Sequence, residues 1–264
     1  MLSRIAWLWR GAGLLVIGLL MAGTAAACGG DGDGEASAEE IAAVEEVISQ
    51  LFEATPEDAD FVFAHATDNL FETVFFTTRE DCQANVEECI TDPLPVESFS
   101  GTEIDGDTAT STVTVEFGTV QIELVREDDV WKGDALLATS DTVPEGAASV
   151  DLSLTEFAFA FDMTAIPADG NLAFHATNDG AQVHEVVVAP VPSDVPLEEA
   201  LEAVDESTVV GFKVFIQPGQ GVDMAFEAAL EAGRYALVCF FPDTADPEGT
   251  PHAVKGMLAE FTIE

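Results

Sequence analysis

Apolar residues in the first half of the chain change from a helical to an alternating spacing. Ser37 stands three positions before Glu40, a capping box, and the apolar residues that follow recur on one helical face: Ile41, Val44, Val47, Ile48, Leu51 and Phe52. Thr55 followed by Pro56 predicts a second helix that runs to about residue 67. Alternating runs come next, TSTVTVEF, TVQIELVR and VWKGDALLA. Helices followed by an antiparallel meander predict an α+β domain over residues 37–140.

The second half of the chain has an almost wholly β pattern. It follows residues 141–148, DTVPEGAA, whose composition predicts a linker. Apolar residues alternate up to Leu154 and then alternate with the opposite parity from Phe157 onward, as a β-bulge would produce. A short surface helix is predicted from Pro196 to Val204. In total, about eight short strands separated by turns predict an all-β Greek-key sandwich over residues 149–264.

The first 27 residues have the pattern of an export signal: a basic start, an apolar run and then small residues. Because Cys28 directly follows TAAA, the segment resembles a bacterial lipoprotein signal, although Ala25 stands where that signal usually has leucine. The resemblance implies lipidation of Cys28, a flexible tether over residues 28–36, and anchoring to the outer face of the cytoplasmic membrane. An ordinary secretory signal, which would give a secreted protein, and an uncleaved anchor remain open.

The composition combines an acidic surface with packed cores. The chain has 50 Asp and Glu against 8 Lys and Arg, a net charge of −42, yet its hydrophobic fraction is 48%. Such a surface repels nucleic acid and anionic membranes and favours a partner with a basic patch. Adaptation to high salt would leave the same charge pattern, so both explanations remain open.

Cys82 and Cys89 lie close together in REDCQANVEEC. Neighbouring cysteines of an exported protein usually form a disulfide, and no second pair or histidine accompanies them as a metal site would require. The count of 4 cysteines agrees, because Cys28 is assigned to the lipid and Cys239 to the candidate site described next. We therefore predict a disulfide between Cys82 and Cys89.

Four residues toward the C-terminus have the side chains of a mononuclear copper site. Cys239, His252 and Met257 lie in one loop between two predicted strands, and His184 lies upstream in NDGAQVHEVVV. A thiolate, two imidazoles and a thioether suit both Cu(I) and Cu(II). Cys–His nucleophilic catalysis is a rival, but Cys239 at a buried strand end would be poorly exposed for attack.

Residues 150–264 resemble the cupredoxins, the blue copper proteins. The resemblance rests on the N-D-G turn before His184, the G-x-Y-x-x-x-C approach to Cys239, and the H-x-x-x-x-M spacing from His252 to Met257. It implies one type 1 copper ion with both histidines and the cysteine equatorial and the methionine axial, in a protein that carries single electrons to or from a redox partner. An enzyme is disfavoured, since four protein ligands leave no open position for substrate. A copper-free adhesion or binding lipoprotein, and a copper-delivery protein without redox turnover, remain open.

The main departure from the cupredoxin pattern is a segment of residues 240–251, here called the insert, between Cys239 and His252. We predict that it bulges outward without moving its ends. Asn178 is predicted to tie the ligand loops together by hydrogen bonds. The acidic residues of the insert would favour a cationic partner or an incoming copper ion: Asp243, Asp246 and Glu248.

The element order of residues 37–140 resembles small extracytoplasmic domains of the nuclear-transport-factor-2-like superfamily, which implies a curved antiparallel sheet with helices. Some relatives are enzymes with an Asp/His pair, but His65 is the domain's sole histidine, and we assign it a structural role. His175 in the second domain is likewise interpreted as surface or structural. We expect the first domain to position the protein or to recruit a partner.

Overall fold

A computed structural model of the chain describes residues 36–264, except residues 92, 117, 201–203 and 205. The predicted export signal, Cys28 and nearly all of the tether lie outside the described residues. Among the helices of the described part, none is long and apolar enough to cross a membrane.

The N-terminal half consists of short helices followed by an antiparallel sheet of order β1-β2-β3-β4. The capping box is present, since Ser37 and Glu40 bond each other's backbone N–H groups. The predicted second helix is a 3₁₀ turn, Pro56–Asp58, continued by α2. The elements are α1 Ala38–Phe52, α2 Ala59–His65, α3 Asp68–Thr73, α4 Arg79–Ala84, α5 Val86–Cys89, β1 Ser98–Asp105, β2 Thr108–Val115, β3 Gly118–Glu127 and β4 Val130–Ala138.

The helices pack closely on β4 because of a glycine. A Cβ atom at Gly133 would lie 2.9 Å from Leu51 Cδ1 and 3.2 Å from Leu70 Cδ2, so a larger residue there would have to displace these leucine side chains of α1 and α3. The predicted disulfide is confirmed: Cys82 in α4 is bonded to Cys89 in α5. It joins two short helices whose own hydrogen bonds are few.

The C-terminal half is a sandwich of two four-stranded sheets, ordered β10-β7-β5-β6 and β12-β11-β8-β9. Alternate residues of both sheets point inward and share one apolar core, which includes Leu152, Phe174, Val188, Leu237 and Phe261. The strands are β5 Ala148–Thr155, β6 Ala158–Phe161, β7 Leu172–Asn178, β8 His184–Val191, β9 Gly211–Ile216, β10 Gly221–Ala225, β11 Gly233–Val238 and β12 Leu258–Ile263, with the short helix α6 Leu197–Ala200 between β8 and β9.

The predicted bulge after Leu154 is wrong. Strands β5 and β6 pair antiparallel, with Thr155 opposite Ala158, so the change of parity comes from a tight turn at Glu156 and Phe157. Phe157 has φ 79°, a left-handed conformation that is uncommon for a residue other than glycine. The turn reverses the chain and sends both side chains toward the end of the sandwich where His184 and His252 lie.

The two halves of the protein are packed together. An apolar cluster joins residues of α1 and of the N-terminal sheet to Val214 of β9, with Phe215 and Phe241 packed against it. Polar bonds run beside it: Gln217 Nε2 donates to the carbonyl of Leu136 (2.6 Å), and Gln220 Nε2 donates to that of Ala138 (2.8 Å). The ammonium of Lys213 lies 2.5 Å from a carboxylate oxygen of Asp141.

Basic side chains are all engaged within the described part of the chain. Each lysine and arginine there forms an ion pair with one or two carboxylates, which leaves the acidic residues in excess on the surface. The pairs are Arg79 with Asp68, Arg126 with Asp107, Lys132 with Glu127, Lys213 with Asp141, Arg234 with Glu260, and Lys255 with Asp243 and Asp246.

Candidate metal centre

Three of the predicted ligands meet at one end of the sandwich. His184 is the first residue of β8, and Cys239 directly follows β11, the neighbouring strand in the same sheet. His252 begins a 3₁₀ turn, His252–Lys255, that leads into β12 on the other side of β11. All three side chains are fully buried. Strand order, and not proximity in sequence, therefore assembles the site.

The three donor atoms form a compact triangle. His184 Nδ1 is 3.2 Å from His252 Nδ1, and Cys239 Sγ is 3.5 Å from His252 Nδ1 and 4.0 Å from His184 Nδ1. Metal bonds of about 2.0–2.1 Å to nitrogen and about 2.3 Å to sulfur would separate three donors in a common plane by about 3.5–3.8 Å. The observed edges bracket that separation, so the residues fit one transition-metal ion.

The hydrogen-bond network fixes the proton of His252. Its Nε2 lies 3.3 Å from Gln182 Oε1, which also accepts from the backbone N–H of Thr244 (2.9 Å). Gln182 Nε2 donates to Asp243 (2.8 Å), so the amide orientation is fixed as well. Because an amide oxygen only accepts, His252 Nε2 carries the proton and its Nδ1 presents a lone pair to the triangle.

The Nε2 atom of His184 also faces a hydrogen-bond acceptor. Its Nε2 forms no hydrogen bond among the described residues, and the carboxylate oxygen Oε1 of Glu156 lies 3.5 Å away. That oxygen accepts from the N–H groups of Ala181 (2.6 Å) and Gln182 (2.8 Å), and although burial opposes ionisation, these bonds lower the pKa of Glu156. A proton on His184 Nε2 would be attracted to this carboxylate and would leave Nδ1 with a lone pair for a metal.

With both histidines protonated on Nε2, the lone pairs of their Nδ1 atoms would face one another across 3.2 Å. Burial, followed by the neighbouring His252, lowers the pKa of His184 to about 4, and burial also lowers the pKa of His252. Neither ring takes up a proton readily to relieve the contact. A cation bound between the rings and the cysteine sulfur resolves the repulsion.

A second carboxyl group lies beside Cys239. Glu185 is buried, and its Oε1 accepts from the N–H of Phe240 (2.6 Å), while its own N–H points at Cys239 Sγ (3.5 Å). Burial raises the pKa of Glu185 to about 7 and, with the Glu185 charge, raises the pKa of the Cys239 thiol. A metal cation at the triangle would favour the thiolate that burial opposes.

Backbone hydrogen bonds hold the ligand loop together. The N–H of Ala253 donates to the carbonyl of Cys239 (2.8 Å), and the N–H of Met257 donates to that of His252 (2.9 Å). The N–H of Cys239 donates to the carbonyl of Met257 (3.3 Å). Met257 is fully buried in the same cluster as Cys239. The backbone of the fourth predicted ligand is thus bonded to both Cys239 and His252.

The ends of the insert stay paired, and its residues Asp243 and Thr244 bond to Gln182 beside the site. Pro242 and Pro251 form an isolated β-bridge, so the long gap does not separate Cys239 from His252. Its acidic residues are less available than the sequence suggests. Lys255 Nζ lies 2.5 Å from Asp243 Oδ2 and 2.7 Å from Asp246 Oδ2. The Lys255 bond lowers the pKa of Asp243, and the same lysine lowers that of Asp246 to about 2.

The other polar residues named from the sequence have supporting roles. Asn178 is buried, and its Nδ2 donates to the carbonyls of Gln182 and Ile216 (both 2.8 Å), which ties the loop before His184 to the end of β9. His175 is half-buried and pairs with Asp223 on the outer face of the sandwich. His65 Nδ1 lies 2.9 Å from the carbonyl of Trp131.

Sequence reasoning missed Glu156, Gln182 and Glu185. Gln182 lies two positions before His184 and Glu185 directly follows it, but nothing in a single sequence marks which neighbours of a candidate ligand turn inward. Glu156 lies on the opposite sheet. Its signal was the change of parity before Phe157, which indicates either a bulge or a turn.

No family model and no curated protein matches the chain. Among solved structures it is similar to Na-dithionite reduced auracyanin from the photosynthetic bacterium Roseiflexus castenholzii, with 21% identity and a TM-score of 0.31 over 45% of this chain and 99% of that one. It is also similar to a multi-copper oxidase from Pediococcus acidilactici, with 14% identity and a TM-score of 0.27 over 55% of this chain and 35% of that one. The chain spans about a third of the oxidase. Scores this low carry no functional argument.

Proposed function

We propose that the C-terminal domain is a cupredoxin-like electron carrier that binds one copper ion through His184, Cys239, His252 and Met257. The observation that carries the proposal is the buried triangle in which two imidazole Nδ1 atoms and a cysteine sulfur converge within 3.2–4.0 Å. The ligand set favours copper over zinc, because structural zinc sites use thiolates and imidazoles, whereas a thioether beside them is typical of electron-transfer copper.

Bound copper supplies a one-electron redox couple, and the chain's residues make the exchange of that electron easy. The ligands extend from neighbouring strands and from a loop closed by backbone hydrogen bonds, so they move little when the charge changes. All are fully buried, which excludes water from the site. Glu156 and Gln182 hold the protons of the two imidazoles away from the metal.

We infer a non-enzymatic role. His184, Cys239 and His252 are fully buried, so a substrate has no direct access to them. The raised pKa of the Cys239 thiol argues against a nucleophile, which needs an accessible thiolate. The same burial disfavours metal delivery, because a delivered ion must leave the site quickly.

We propose that the protein works outside the cytoplasmic membrane, anchored by a lipid on Cys28, and that it exchanges electrons with a redox protein bearing a basic patch. The net charge of −42, with every described lysine and arginine already in an ion pair, supports a cationic partner. The N-terminal domain packs on β9 and the insert, so we propose that it positions the carrier against that partner.

The test is the visible spectrum of the soluble protein, residues 29–264, loaded with Cu(II). We expect an intense thiolate-to-copper band at one copper per chain, and its loss in Cys239→Ser. His175→Gln, on the outer face, is the matched control and keeps the band. Stoichiometric copper without the band would favour delivery, and absence of binding would leave a copper-free binding module.

A further inference from the structure

The turn between β5 and β6 contacts both ligand histidines. Glu156 places its carboxylate 3.5 Å from His184 Nε2. The next residue, Phe157, packs its ring against that of His252, with centroids 5.3 Å apart in an edge-to-face arrangement. Phe157 keeps the left-handed conformation that a glycine would adopt more easily. Strained backbone of this kind is concentrated at functional sites.

We propose that Glu156 is a positioning residue that fixes His184 as the Nε2–H tautomer, so that Nδ1 is always available to a metal. The inference rests on the proposed copper function but concerns the metal-free protein as well. Without Glu156, His184 could move its proton to Nδ1 and donate it to His252 Nδ1, 3.2 Å away. That bond would satisfy both rings internally and would occupy the lone pair that binds metal.

The carboxylate is built into this position. Its Oε1 is held by two backbone N–H groups, those of Ala181 and Gln182, in the loop that leads to His184. Gly180 leaves the room for it, since a Cβ atom there would lie 2.5 Å from the same oxygen. One carboxylate oxygen of the β5–β6 turn therefore bonds the loop before His184 and also faces the buried Nε2 atom of His184.

The pairing also acts on a bound metal. A carboxylate that accepts a hydrogen bond from a ligand histidine raises the basicity of that ligand, and loss of such a partner commonly weakens metal binding about 10–100-fold. Its negative charge further favours Cu(II) over Cu(I). Glu156 thus lowers the reduction potential of the site while it holds the ring.

The decisive experiment measures the imidazole tautomers of the metal-free protein by nitrogen-15 NMR. In the wild type we expect His184 to carry its proton on Nε2. In Glu156→Ala we expect the Nδ1–H form to become the major one. Gly180→Ala, which displaces the carboxylate without removing it, is expected to give an intermediate population. Glu156→Gln keeps the accepting oxygen and retains the wild-type tautomer.

Copper-loaded protein provides the second readout. We expect about 10–100-fold weaker copper binding in Glu156→Ala and a higher reduction potential in Glu156→Gln. Glu227→Gln, which removes one charge from an exposed loop, is the control and should leave both unchanged. An unchanged His184 tautomer in Glu156→Ala would overturn the positioning role even if copper binds. A changed tautomer in a protein that binds no copper would uphold it while the electron-carrier function fails.

Discussion

Burial gives His184 and Glu185 opposite effects on stability, although they are adjacent in the sequence. The pKa of His184 is lowered to about 4, so the unfolded chain holds a proton there that the folded chain lacks, and acid destabilises the fold between pH 6.5 and 4. The pKa of Glu185 is raised to about 7, so the folded chain holds the extra proton and acid stabilises it over nearly the same range. The two effects largely cancel.

Glu185→Gln should expose the histidine effect in the metal-free protein. Glutamine keeps the acceptor for the N–H of Phe240 but does not titrate. From pH 7 to pH 5, we expect the free energy of unfolding of the variant to fall by about 2 kcal/mol relative to that of the wild type. Urea denaturation at the two pH values measures it. His175→Gln should follow the wild type, and parallel curves for wild type and Glu185→Gln would contradict the prediction.

The candidate ligands could be named from the sequence, because Cys, His and Met carry distinctive donor atoms, and the structure brings His184, Cys239 and His252 together. Their partners could not. Glu156 is one of 50 acidic residues, and only the packing of one sheet on the other brings it to His184. The residue type determines which donor atoms are present, whereas the surrounding residues determine which ring nitrogen of a histidine carries the proton.

At the scale of the structural elements, the insert is held to the ligand turn by a single lysine. Lys255, three residues after His252, bonds Asp243 and Asp246 and lies 5.5 Å from the centre of the Phe157 ring. One side chain therefore connects the insert, the ligand turn and the β5–β6 turn. In the sequence the insert was the main departure from the cupredoxin pattern. The sequence could not show that Lys255 bonds two of its carboxylates.

Lys255→Ala should loosen the insert without unfolding the sandwich. We expect amide hydrogen exchange at residues 243–250 to become faster by about tenfold or more, because bonds to charged groups are lost. Strands β7 and β8 should keep their protection. Lys132→Ala removes a lysine from an exposed pair in the N-terminal sheet and serves as the control. Unchanged exchange in the insert would mean that the Pro242–Pro251 bridge alone closes it.

The parity change after Leu154 shows how far a sequence pattern determines an element. Alternation placed the strands correctly on both sides of Glu156 and Phe157. It could not distinguish a bulge from a two-residue turn, because Phe157 adopts a conformation that the sequence gives no reason to expect. The error concerned one turn, and the two residues of that turn contact His184 and His252.

At the scale of the whole molecule, the two halves behave as one packed unit. Lys213 of β9 is 9% exposed and pairs with Asp141, whose other carboxylate oxygen accepts from the N–H of Ala225 (3.0 Å). The segment after β4 is therefore bonded to the sandwich along its length. Composition gives the polarity of such a segment but not the surface on which it lies.

Lys213→Ala should destabilise the whole protein by about 1–3 kcal/mol, less than for a fully buried pair because Asp141 is 38% exposed. Lys132→Ala, whose partner Glu127 is 56% exposed, should cost about 0–1 kcal/mol. Denaturant unfolding, followed at Trp131 in the N-terminal half and by the copper band, measures both. Separate transitions for the two probes in the wild type would argue against a single unit.

The lysine ion pairs have a practical consequence for labelling chemistry. The described chain has lysines at three positions: Lys132 in the N-terminal sheet, Lys213 at the junction of the two halves, and Lys255 at the insert. Each ammonium is held by a carboxylate, so an amine-acylating reagent reacts only as that pair opens. The order in which the three peptides become acylated would therefore rank the opening of the sheet, the junction and the insert in a single digest.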